Sequence, residues 1–269
     1  GIDIGSISIK IIALNQSKEV VAECYRRFRG RPLEIFYECL TEIFSQQILP
    51  DQIINTGITG PGGQRLTELF RKDLINEVIA QSRGIELFHP EIRTVIEMGG
   101  EDSKLILLEW DESSSRPIIK DFSMNTICAA GTGSFLDQQA TRLGLDIENE
   151  FGAEALKSIN SPRIAGRCSV FAKSDMIHLQ QIGTSTADIV TGLCYAVARN
   201  FKSTLAKGKK FQRPIAFLGG VAANAGMVRA FEDILELNQG ELIIPKHYAT
   251  MGAVGAALIS MEQESRVDP

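Results

Sequence analysis

The 269-residue chain is 44% hydrophobic and 23% charged, an ordinary globular composition with enough residues for one large domain or two lobes. Its formal net charge is −5 and its lysines and arginines form only short runs, so we expect no nucleic-acid partner. No apolar run is long enough to span a bilayer and no signal peptide is recognisable, so we expect a cytoplasmic protein without a membrane partner.

The N-terminal region begins with a predicted hairpin. Within Ile2–Leu14, an apolar strand is interrupted at Gly5-Ser6 and then resumes, which is typical of two antiparallel strands. The pattern then predicts a helix over Pro32–Gln46, a strand over Gln52–Gly57, a glycine-rich turn over Thr59–Gly63 and a helix over Leu66–Ser82.

The same plan recurs at Val95–Leu108, where two apolar strands flank a turn at Gly99–Asp102. A surface turn at Asp111–Pro117 follows. The predicted elements after it are helices over Gly133–Leu143, Ala172–Gln181 and Asp188–Ala206, a strand over Pro214–Leu218, a helix over Ala225–Leu235, a strand over Glu241–Ile244 and a helix over Thr250–Ser260.

Alternating strands and helices predict an α/β fold with two lobes around a cleft. The repeated hairpin suggests that the lobes arose by internal duplication. We assign residues 1–92 to lobe I and residues 93–249 to lobe II, with residues 250–269 packing back on lobe I.

The first hairpin carries groups suited to a phosphate. Asp3 precedes a tight turn in which Gly5 lets a ligand approach the backbone, while Ser6 and Ser8 add hydroxyl donors. Lys10 supplies a counter-charge, and Asp3 offers the hard oxygen ligands that Mg²⁺ prefers. Taken alone, the segment also fits an ordinary hairpin with a polar turn.

The second hairpin and a later glycine turn repeat these features. The second turn provides Gly99, Gly100, Glu101, Asp102 and Lys104. The run FLGGVAAN ends a strand at Gly219-Gly220 and leads through Asn224 into a helix, so an adenosine group can lie against bare backbone. No GxxxxGK[ST] motif occurs, which excludes a P-loop. The combination resembles the two-lobed actin-like ATPase (ribonuclease H-like) fold, with a nucleotide in the cleft between the lobes.

Two of the five cysteines stand at predicted helix starts. Small residues lead from Cys128 into one helix and Cys168 precedes another, and helix N-termini favour thiolate anions. A [4Fe–4S] cluster normally has four thiolate ligands, so two cysteines per chain would require a two-fold axis. Judged from these residues alone, two buried thiols, a redox disulfide and a zinc site completed by histidine remain alternatives.

Six runs of the sequence together resemble one protein family. They are GIDIGSISIK, VIEMGGEDSK, NTICAAGTGSFLDQQA, GRCSVFAKSDMI, FLGGVAANAGMVRAFE and ATMGAVGAAL, and they extend over nearly the whole chain. They resemble the activators of 2-hydroxyacyl-CoA dehydratases and benzoyl-CoA reductases. The two runs that contain Cys128 and Cys168 are the most specific part of the resemblance.

The resemblance implies ATP-driven transfer of one low-potential electron to a partner enzyme that carries iron–sulfur clusters, with ferredoxin or flavodoxin as the electron source. It also implies a homodimer with one [4Fe–4S] cluster at its interface, ligated by Cys128 and Cys168 of each chain. ATP or ADP with Mg²⁺ would be bound by the hairpins and the Gly219 turn. We also assign Gly131, Thr132 and Gly133 to cofactor binding.

The second turn departs from the family pattern. The family often has Asp-x-Gly-Gly-Gln-Asp there, whereas Glu97 and Glu101 replace the first Asp and the Gln in this chain. Glu101 brings a charge where an amide would orient water, so the departure leaves open which residue positions the attacking water. We assign this role to Asp102 or Glu101. Asp3 is assigned to the metal shell.

Two other functions remain open at this point. A small-molecule kinase of the same fold would need an acceptor pocket but neither cysteine, and a nucleotide-gated binding protein would bind ATP without turnover. For the activator, we expect the sulfur atoms of Cys128 and Cys168 to lie close together at helix starts, exposed on a two-fold interface.

Overall fold

The structure is a computed structural model that describes residues 1–125, 131–166 and 168–264. The chain divides into two compact units. Unit 1 comprises the described residues of Gly1–Ile92, Leu108–Asp121 and Pro245–Pro269, and unit 2 comprises those of Arg93–Leu107 and Phe122–Ile244.

Strands and helices alternate along the described part of the chain. The strands are β1 (Ile2–Ile4), β2 (Ser8–Leu14), β3 (Val20–Arg27), β4 (Ile58–Thr59), β5 (Leu74–Ile75), β6 (Thr94–Met98), β7 (Ser103–Asp111), β8 (Arg116–Asn125), β9 (Ile215–Leu218) and β10 (Leu242–Ile243). The helices are α1 (Pro32–Ser45), α2 (Gln64–Phe70), α3 (Glu77–Phe88), α4 (Gly133–Leu143), α5 (Phe151–Ala155), α6 (Ser169–Gln181), α7 (Thr186–Thr204), α8 (Ala225–Leu235) and α9 (Met251–Glu264). Short 3-10 turns precede β4, α2 and α8.

The sheet of unit 1 has the order β3-β2-β1-β4-β5, and β1 pairs antiparallel with β2 and parallel with β4. Helix α1 covers one face, because its apolar residues Ile35, Cys39 and Ile43 recur at helical spacing and pack with Ile9 in one core cluster. Ile12 points to the opposite face, since side chains alternate along a strand, and packs with the alanines and valine of α9.

Helices α3 and α9 of unit 1 pack backbone against backbone. A Cβ atom at Gly255 of α9 would lie 1.7 Å from the carbonyl oxygen of Ala80 in α3. A Cβ atom at Gly84 of α3 would likewise lie 2.5 Å from the carbonyl oxygen of Met251. Glycine is therefore required at both contacts, and the close packing fixes α3 and α9 beside the end of β1.

The second sheet has the order β10-β9-β6-β7-β8, with β6 antiparallel to β7 and parallel to β9. Three aromatic side chains join it to its helices. Phe231 of α8 contacts Phe201 of α7 and Phe217 of β9 edge to face, with ring centroids 5.3 Å and 5.0 Å apart. Such contacts stabilise a core beyond the burial of their area.

The two sheets share one topology. In each sheet the central strand pairs antiparallel with the strand that follows it in sequence and parallel with a later strand, which itself pairs parallel with an edge strand. The repeated order extends the similarity of the two predicted hairpins to five strands in each sheet. This agreement supports an internal duplication.

The structure confirms most predicted elements of the described chain. Both hairpins form, and α4 and α8 have the predicted bounds. Helix α7 begins and ends two residues before the predicted Asp188–Ala206. The α/β class is confirmed by the two mixed sheets and the helices around them.

The predicted strand Gln52–Gly57 is wrong. The segment Pro50–Gln52 forms a 3-10 turn, and the strand that pairs with β1 is Ile58–Thr59. The apolar residues that suggested a strand, Ile53 and Ile54, are 41% and 71% exposed. Hydrophobicity alone therefore placed the strand too early in the sequence.

The predicted single helix over Leu66–Ser82 is also wrong, because two helices separated by β5 occupy this segment. Helix α2 ends where Arg71 adopts a left-handed conformation at φ 52°. Asn76 then caps α3, since its side chain accepts hydrogen bonds from the amides of Val78 and Ile79. The strands β3 and β8 and the short helix α5 were not predicted.

Candidate functional site

The first hairpin brings its predicted polar residues together. Asp3 and Lys10 are register partners across β1 and β2, and Lys10 Nζ lies 3.2 Å from Asp3 Oδ2. The amide of Gly5 donates to the carbonyl of Ser8 at 3.0 Å and closes the turn. A Cβ atom at Gly5 would lie 2.9 Å from Lys10 Nζ, so the absence of a side chain there leaves room for the ammonium group. Ser6 lies within this turn.

Three residues from other elements of unit 1 lie beside Asp3, and none of them was predicted as a site residue. Gly60, at φ +86°, would place a Cβ atom 2.6 Å from Asp3 Oδ1. A Cβ atom at Gly252 of α9 would lie 2.8 Å from Asp3 Oδ2 and 3.3 Å from Gln81 Nε2 of α3. The glycine-rich run Thr59–Gly63 was a usable signal for Gly60, and the run ATMGAVGAAL was one for Gly252. Gln81 had no such signal in the sequence.

The second hairpin has the same frame with more charge. Glu97 and Lys104 are register partners, and Lys104 Nζ donates to Glu97 Oε2 at 2.9 Å and also to Asp102. Lys104 is only 1% exposed, so its ammonium group is buried against carboxylates. The amide of Gly99 donates to the carbonyl of Asp102 at 3.0 Å and closes the turn, while Glu101 is exposed.

The Gly219 turn lies directly against the second hairpin. Gly219 has φ +87°, and a Cβ atom there would lie 2.3 Å from the carbonyl oxygen of Met98 and 3.0 Å from Glu97 Oε1. Gly220 begins a 3-10 turn that leads to Asn224, whose side chain accepts from the amide of Met227 at 3.1 Å. Asn224 thus caps α8, and Gly219 allows bare backbone to pack against the hairpin.

The start of α4 is also bound to the second hairpin. The amides of Gly133 and Ser134 donate to the carbonyls of Gly99 and Gly100 at 2.9 Å and 2.8 Å. Ser103 Oγ donates to the carbonyl of Gly131 at 2.6 Å, and Thr132 between these contacts is fully buried. The predicted cofactor-binding run Gly131–Gly133 therefore lies at the second turn.

The structure describes only one of the two predicted sulfur ligands, Cys168. Cys168 is the residue before α6, with part of its surface exposed, and its carbonyl accepts from the amide of Ala172 at 3.0 Å. Cys128 lies outside the described residues. The expected short distance between the two sulfur atoms therefore stays a prediction. Cys168 occupies the helix start that the sequence predicted.

The other described cysteines are buried, in contrast to Cys168. Burial raises the pKa of the Cys194 thiol to about 12, which disfavours a thiolate. The hydrogen bond between the Cys24 and Cys39 thiols, together with burial, raises the pKa of Cys24. These three thiols are small core residues.

Within the described ranges, no three His, Cys, Asp or Glu side chains are grouped so that they could hold a metal ion. The helices of these ranges are also too short or too polar to cross a membrane.

The model of one protein family, described as the BadF/BadG/BcrA/BcrD ATPase family, matches residues 1–260. The chain belongs to this ATPase family. The match includes both hairpins, both cysteine motifs and the Gly219 turn, so this family member contains every segment that carried the resemblance.

Relatives of known activity support the assignment. This ATPase family member is 34% identical to the 2-hydroxyisocaproyl-CoA dehydratase activator of Clostridioides difficile, over 98% of this chain and 94% of that protein. It is 30% identical to the (R)-2-hydroxyglutaryl-CoA dehydratase activating ATPase of Acidaminococcus fermentans, over 99% of this chain and 98% of that protein.

A solved structure confirms the predicted fold of this ATPase family member. The activator of the 2-hydroxyisocaproyl-CoA dehydratase from Clostridium difficile with bound ADPNP superimposes with a TM-score of 0.86 at 30% identity, over 100% of this chain and 97% of that chain. The predicted actin-like ATPase fold is therefore correct.

Proposed function

We propose that the protein is an ATP-dependent one-electron activator of a 2-hydroxyacyl-CoA dehydratase or a related iron–sulfur enzyme. One observation carries the proposal. Among the described cysteines, Cys168 alone is not buried, and it lies at a helix start in a chain similar over its full length to dehydratase activators. A partly exposed thiol in this position is accessible to a metal, whereas the thiols buried in a core are not.

ATP and ADP are the proposed nucleotides. Each unit contains a hairpin in which a glycine turn, a carboxylate and a lysine lie together, and unit 2 also contains the Gly219 turn. Backbone amides and lysines suit phosphate oxygens, and Gly219 offers bare backbone to an adenosine group. The proposal is supported by the ADPNP bound to the similar dehydratase activator.

The Asp3 carboxylate fits Mg²⁺. Asp3 is 7% exposed, and its carboxylate offers the hard oxygen ligands that Mg²⁺ prefers. Bound there, Mg²⁺ would neutralise phosphate charge. In this proposal Asp3 holds the metal shell, while Glu101 and Asp102 supply negative charge at the second turn.

Among the described cysteines, Cys168 fits an iron–sulfur cluster, because its side chain is not buried in a core. Cys24, Cys39 and Cys194 are buried. We assign the ligand positions to Cys128 and Cys168 of two chains, because four thiolates are needed and one chain offers two. A [4Fe–4S] cluster there would supply one-electron transfer.

The homodimer that this requires has an available apolar surface beside Cys168. Val170 and Phe171, in the first turn of α6, are each 66% exposed, whereas Ala172 and Met176 face the core of unit 2. Exposed apolar groups of this size are typical of interaction sites. We therefore place the subunit contact at the start of α6.

The contacts of α4 provide a route between nucleotide and cluster. Gly133 and Ser134 are hydrogen-bonded to the second hairpin turn, and they follow the Cys128 segment in sequence. A shift of that turn between ATP and ADP would move the start of α4 with it. In the proposed cycle, ferredoxin or flavodoxin supplies the electron and the iron–sulfur enzyme accepts it.

Iron and sulfide analysis of anaerobically purified protein tests the proposal. We expect about four irons and four sulfides per dimer in the parent protein, because one [4Fe–4S] cluster is shared. Cys128→Ala and Cys168→Ala should each lose the iron and retain ATP binding. Cys194→Ala, which removes a buried thiol, is the matched control and should keep its iron.

Full iron content in both ligand variants would contradict the proposal. A parent protein that hydrolyses ATP but contains no iron after anaerobic purification would instead favour a small-molecule kinase. Bound ATP without turnover, even with the iron–sulfur partner present, would favour a nucleotide-gated binding protein.

A further inference from the structure

Two buried side-chain atoms have no hydrogen-bond partner within the described part of the chain, and both belong to α3. They are Gln81 Oε1 and Arg83 Nε. The guanidinium group of Arg83 is accounted for, because its two terminal nitrogens pair with Glu86 and Glu262. No comparable interaction satisfies the amide oxygen of Gln81.

The cost of burying Gln81 suggests that it serves a ligand. Gln81 is 8% exposed, and a buried polar atom without a partner costs about 1–3 kcal/mol. An apolar residue of similar size on this face of α3 would avoid that cost. Groups retained at such a cost commonly bind water or a ligand in the functional state.

Gln81 lies beside Asp3, which indicates that its ligand belongs to the proposed Mg²⁺–ATP site. Its amide and the carboxylate of Asp3 face the same point on α9, because a Cβ atom at Gly252 would lie 3.3 Å from Gln81 Nε2 and 2.8 Å from Asp3 Oδ2. Lys10, 3.2 Å from Asp3, offsets the charge of this carboxylate. An uncharged amide, whose oxygen has no partner among the described residues, thus lies beside a carboxylate that we place at the Mg²⁺–ATP site.

We propose that Gln81 orients the water molecule that attacks the γ-phosphate of ATP. This inference rests on the proposed function, since it requires ATP hydrolysis. The water oxygen forms a bond to the γ-phosphorus, the bond from that phosphorus to the β–γ bridging oxygen breaks, and its electron pair leaves with ADP. The proton lost by the water passes to the phosphate product or to solvent, because an amide is not a usable base.

The geometry explains how a neutral amide can assist this step. A water molecule that donates one hydrogen to Gln81 Oε1 and the other to the Asp3 carboxylate directs its lone pairs away from both acceptors. That orientation is the one required for attack on phosphorus. Gln81 therefore contributes by positioning and not by proton transfer.

The second turn is less suited to the same task. Glu101 is exposed and charged, and the carboxylate of Asp102 is bound by Lys104. The amide that the family often carries in that turn is replaced by Glu101 in this chain. The structure supplies a different amide, Gln81 of α3, and places it beside Asp3.

Substitution of Gln81 with a matched control tests the inference. Gln81→Leu has similar volume and no polar atom, and Gln81→Asn keeps the amide but withdraws it by one methylene. Ser82→Ala is the control, because Ser82 is equally buried on the same helix but its hydroxyl is satisfied by the carbonyl of Val78 at 2.7 Å. The measurements are kcat for ATP hydrolysis, the dissociation constant of Mg²⁺–ATP and the melting temperature without nucleotide.

We expect kcat to fall about 100-fold in Gln81→Leu and about 10-fold in Gln81→Asn, with the dissociation constant of Mg²⁺–ATP changed less than about threefold. The melting temperature of Gln81→Leu should not fall, because the substitution removes a buried polar atom that lacks a partner. Ser82→Ala should retain its kcat. If Gln81→Leu does not fold, Gln81→Asn decides the question alone.

Two results would overturn the inference. One is a folded variant whose kcat stays within about threefold of the parent protein, and the other is a kcat loss matched by an equal loss of ATP affinity. Failure of the proposed function is distinct, because it is measured by the iron content and ATP turnover of the parent protein and not by the ratio of kcat between the Gln81 variants and the parent.

Discussion

The hairpin of β1 and β2 and the hairpin of β6 and β7 have the same backbone plan but different charge. In both, a carboxylate faces a lysine in register and a glycine amide closes the turn at 3.0 Å. In both, a glycine at φ +86° or +87°, directly after the neighbouring parallel strand, packs against the end of the central strand. The duplicated feature is the shape of the backbone.

The charges differ because Glu101 and Asp102 stand where the first hairpin has Ile7 and Ser8. The segment Asp3–Lys10 contains one carboxylate and one lysine, whereas Glu97–Lys104 contains three carboxylates and one lysine. The first hairpin is therefore neutral and suited to a phosphate, while the second is anionic and tolerates a phosphate better when a divalent cation is present. The two hairpins therefore share their backbone geometry but differ in their net charge.

The largest expected effect concerns the two lysines. Lys104→Met should destabilise the protein by about 3–5 kcal/mol, because it leaves the buried Glu97 and the partly buried Asp102 without their cation. Lys10→Met should cost less, about 1.5–3 kcal/mol, since it removes a charged contact to one carboxylate in a more exposed hairpin. Urea unfolding of both variants measures the difference, and equal losses would contradict the electrostatic contrast.

The second effect concerns the paired glycines. Gly60→Ala and Gly219→Ala should each destabilise by more than about 1–3 kcal/mol, because a positive φ is strained for alanine and the new Cβ atom would overlap a carbonyl oxygen. Gly240→Ala is the control, since Gly240 has φ +83° and a Cβ atom added there would meet nothing within 4 Å. Thermal unfolding should rank both site variants below the control.

If Gly60→Ala were no more destabilising than Gly240→Ala, the claim that the Gly60 and Gly219 turns are structurally equivalent would be contradicted. Of the two turns, only the Gly219 turn would then require a close backbone contact.

The smallest effect concerns Glu101. Glu101→Gln should raise the Mg²⁺ concentration for half-maximal ATP hydrolysis by less than about fivefold, because an exposed carboxylate attracts the cation only weakly. Glu112→Gln, an exposed substitution in the turn between β7 and β8, is the control and should leave it unchanged. A lower Mg²⁺ requirement in Glu101→Gln would show that the charge of the second hairpin does not assist the metal.

The sequence predicted the parts of the fold that depend on local patterns. The hairpins follow from apolar strands broken by glycine, and the bounds of α4 and α8 follow from small or capping residues before an amphipathic run. The failed predictions lie where a local pattern was ambiguous. Ile53 and Ile54 resemble a strand but are exposed, and the cap at Asn76 that separates α2 from α3 was overlooked.

The residues of the candidate site also divide into those that local sequence patterns could assign and those that they could not. Asp3, Lys10, Glu97 and Lys104 could be assigned from sequence because each hairpin brings its own residues together across a short turn. The position of Cys168 at a helix start was likewise readable from its neighbours. The placement of Gln81 beside Asp3 was not, because nothing near Gln81 in sequence suggests a site.

By itself, the sequence determined the two phosphate-type hairpins, the glycine turn before α8 and the family to which the chain belongs, since these depend on short runs of adjacent residues. Only the tertiary structure decided that Gln81 and Gly252 border Asp3 and that Lys104 is buried between two carboxylates. The physical reason is close packing. Glycines at the α3–α9 contact let two backbones meet, and that contact brings together side chains that are far apart in the chain.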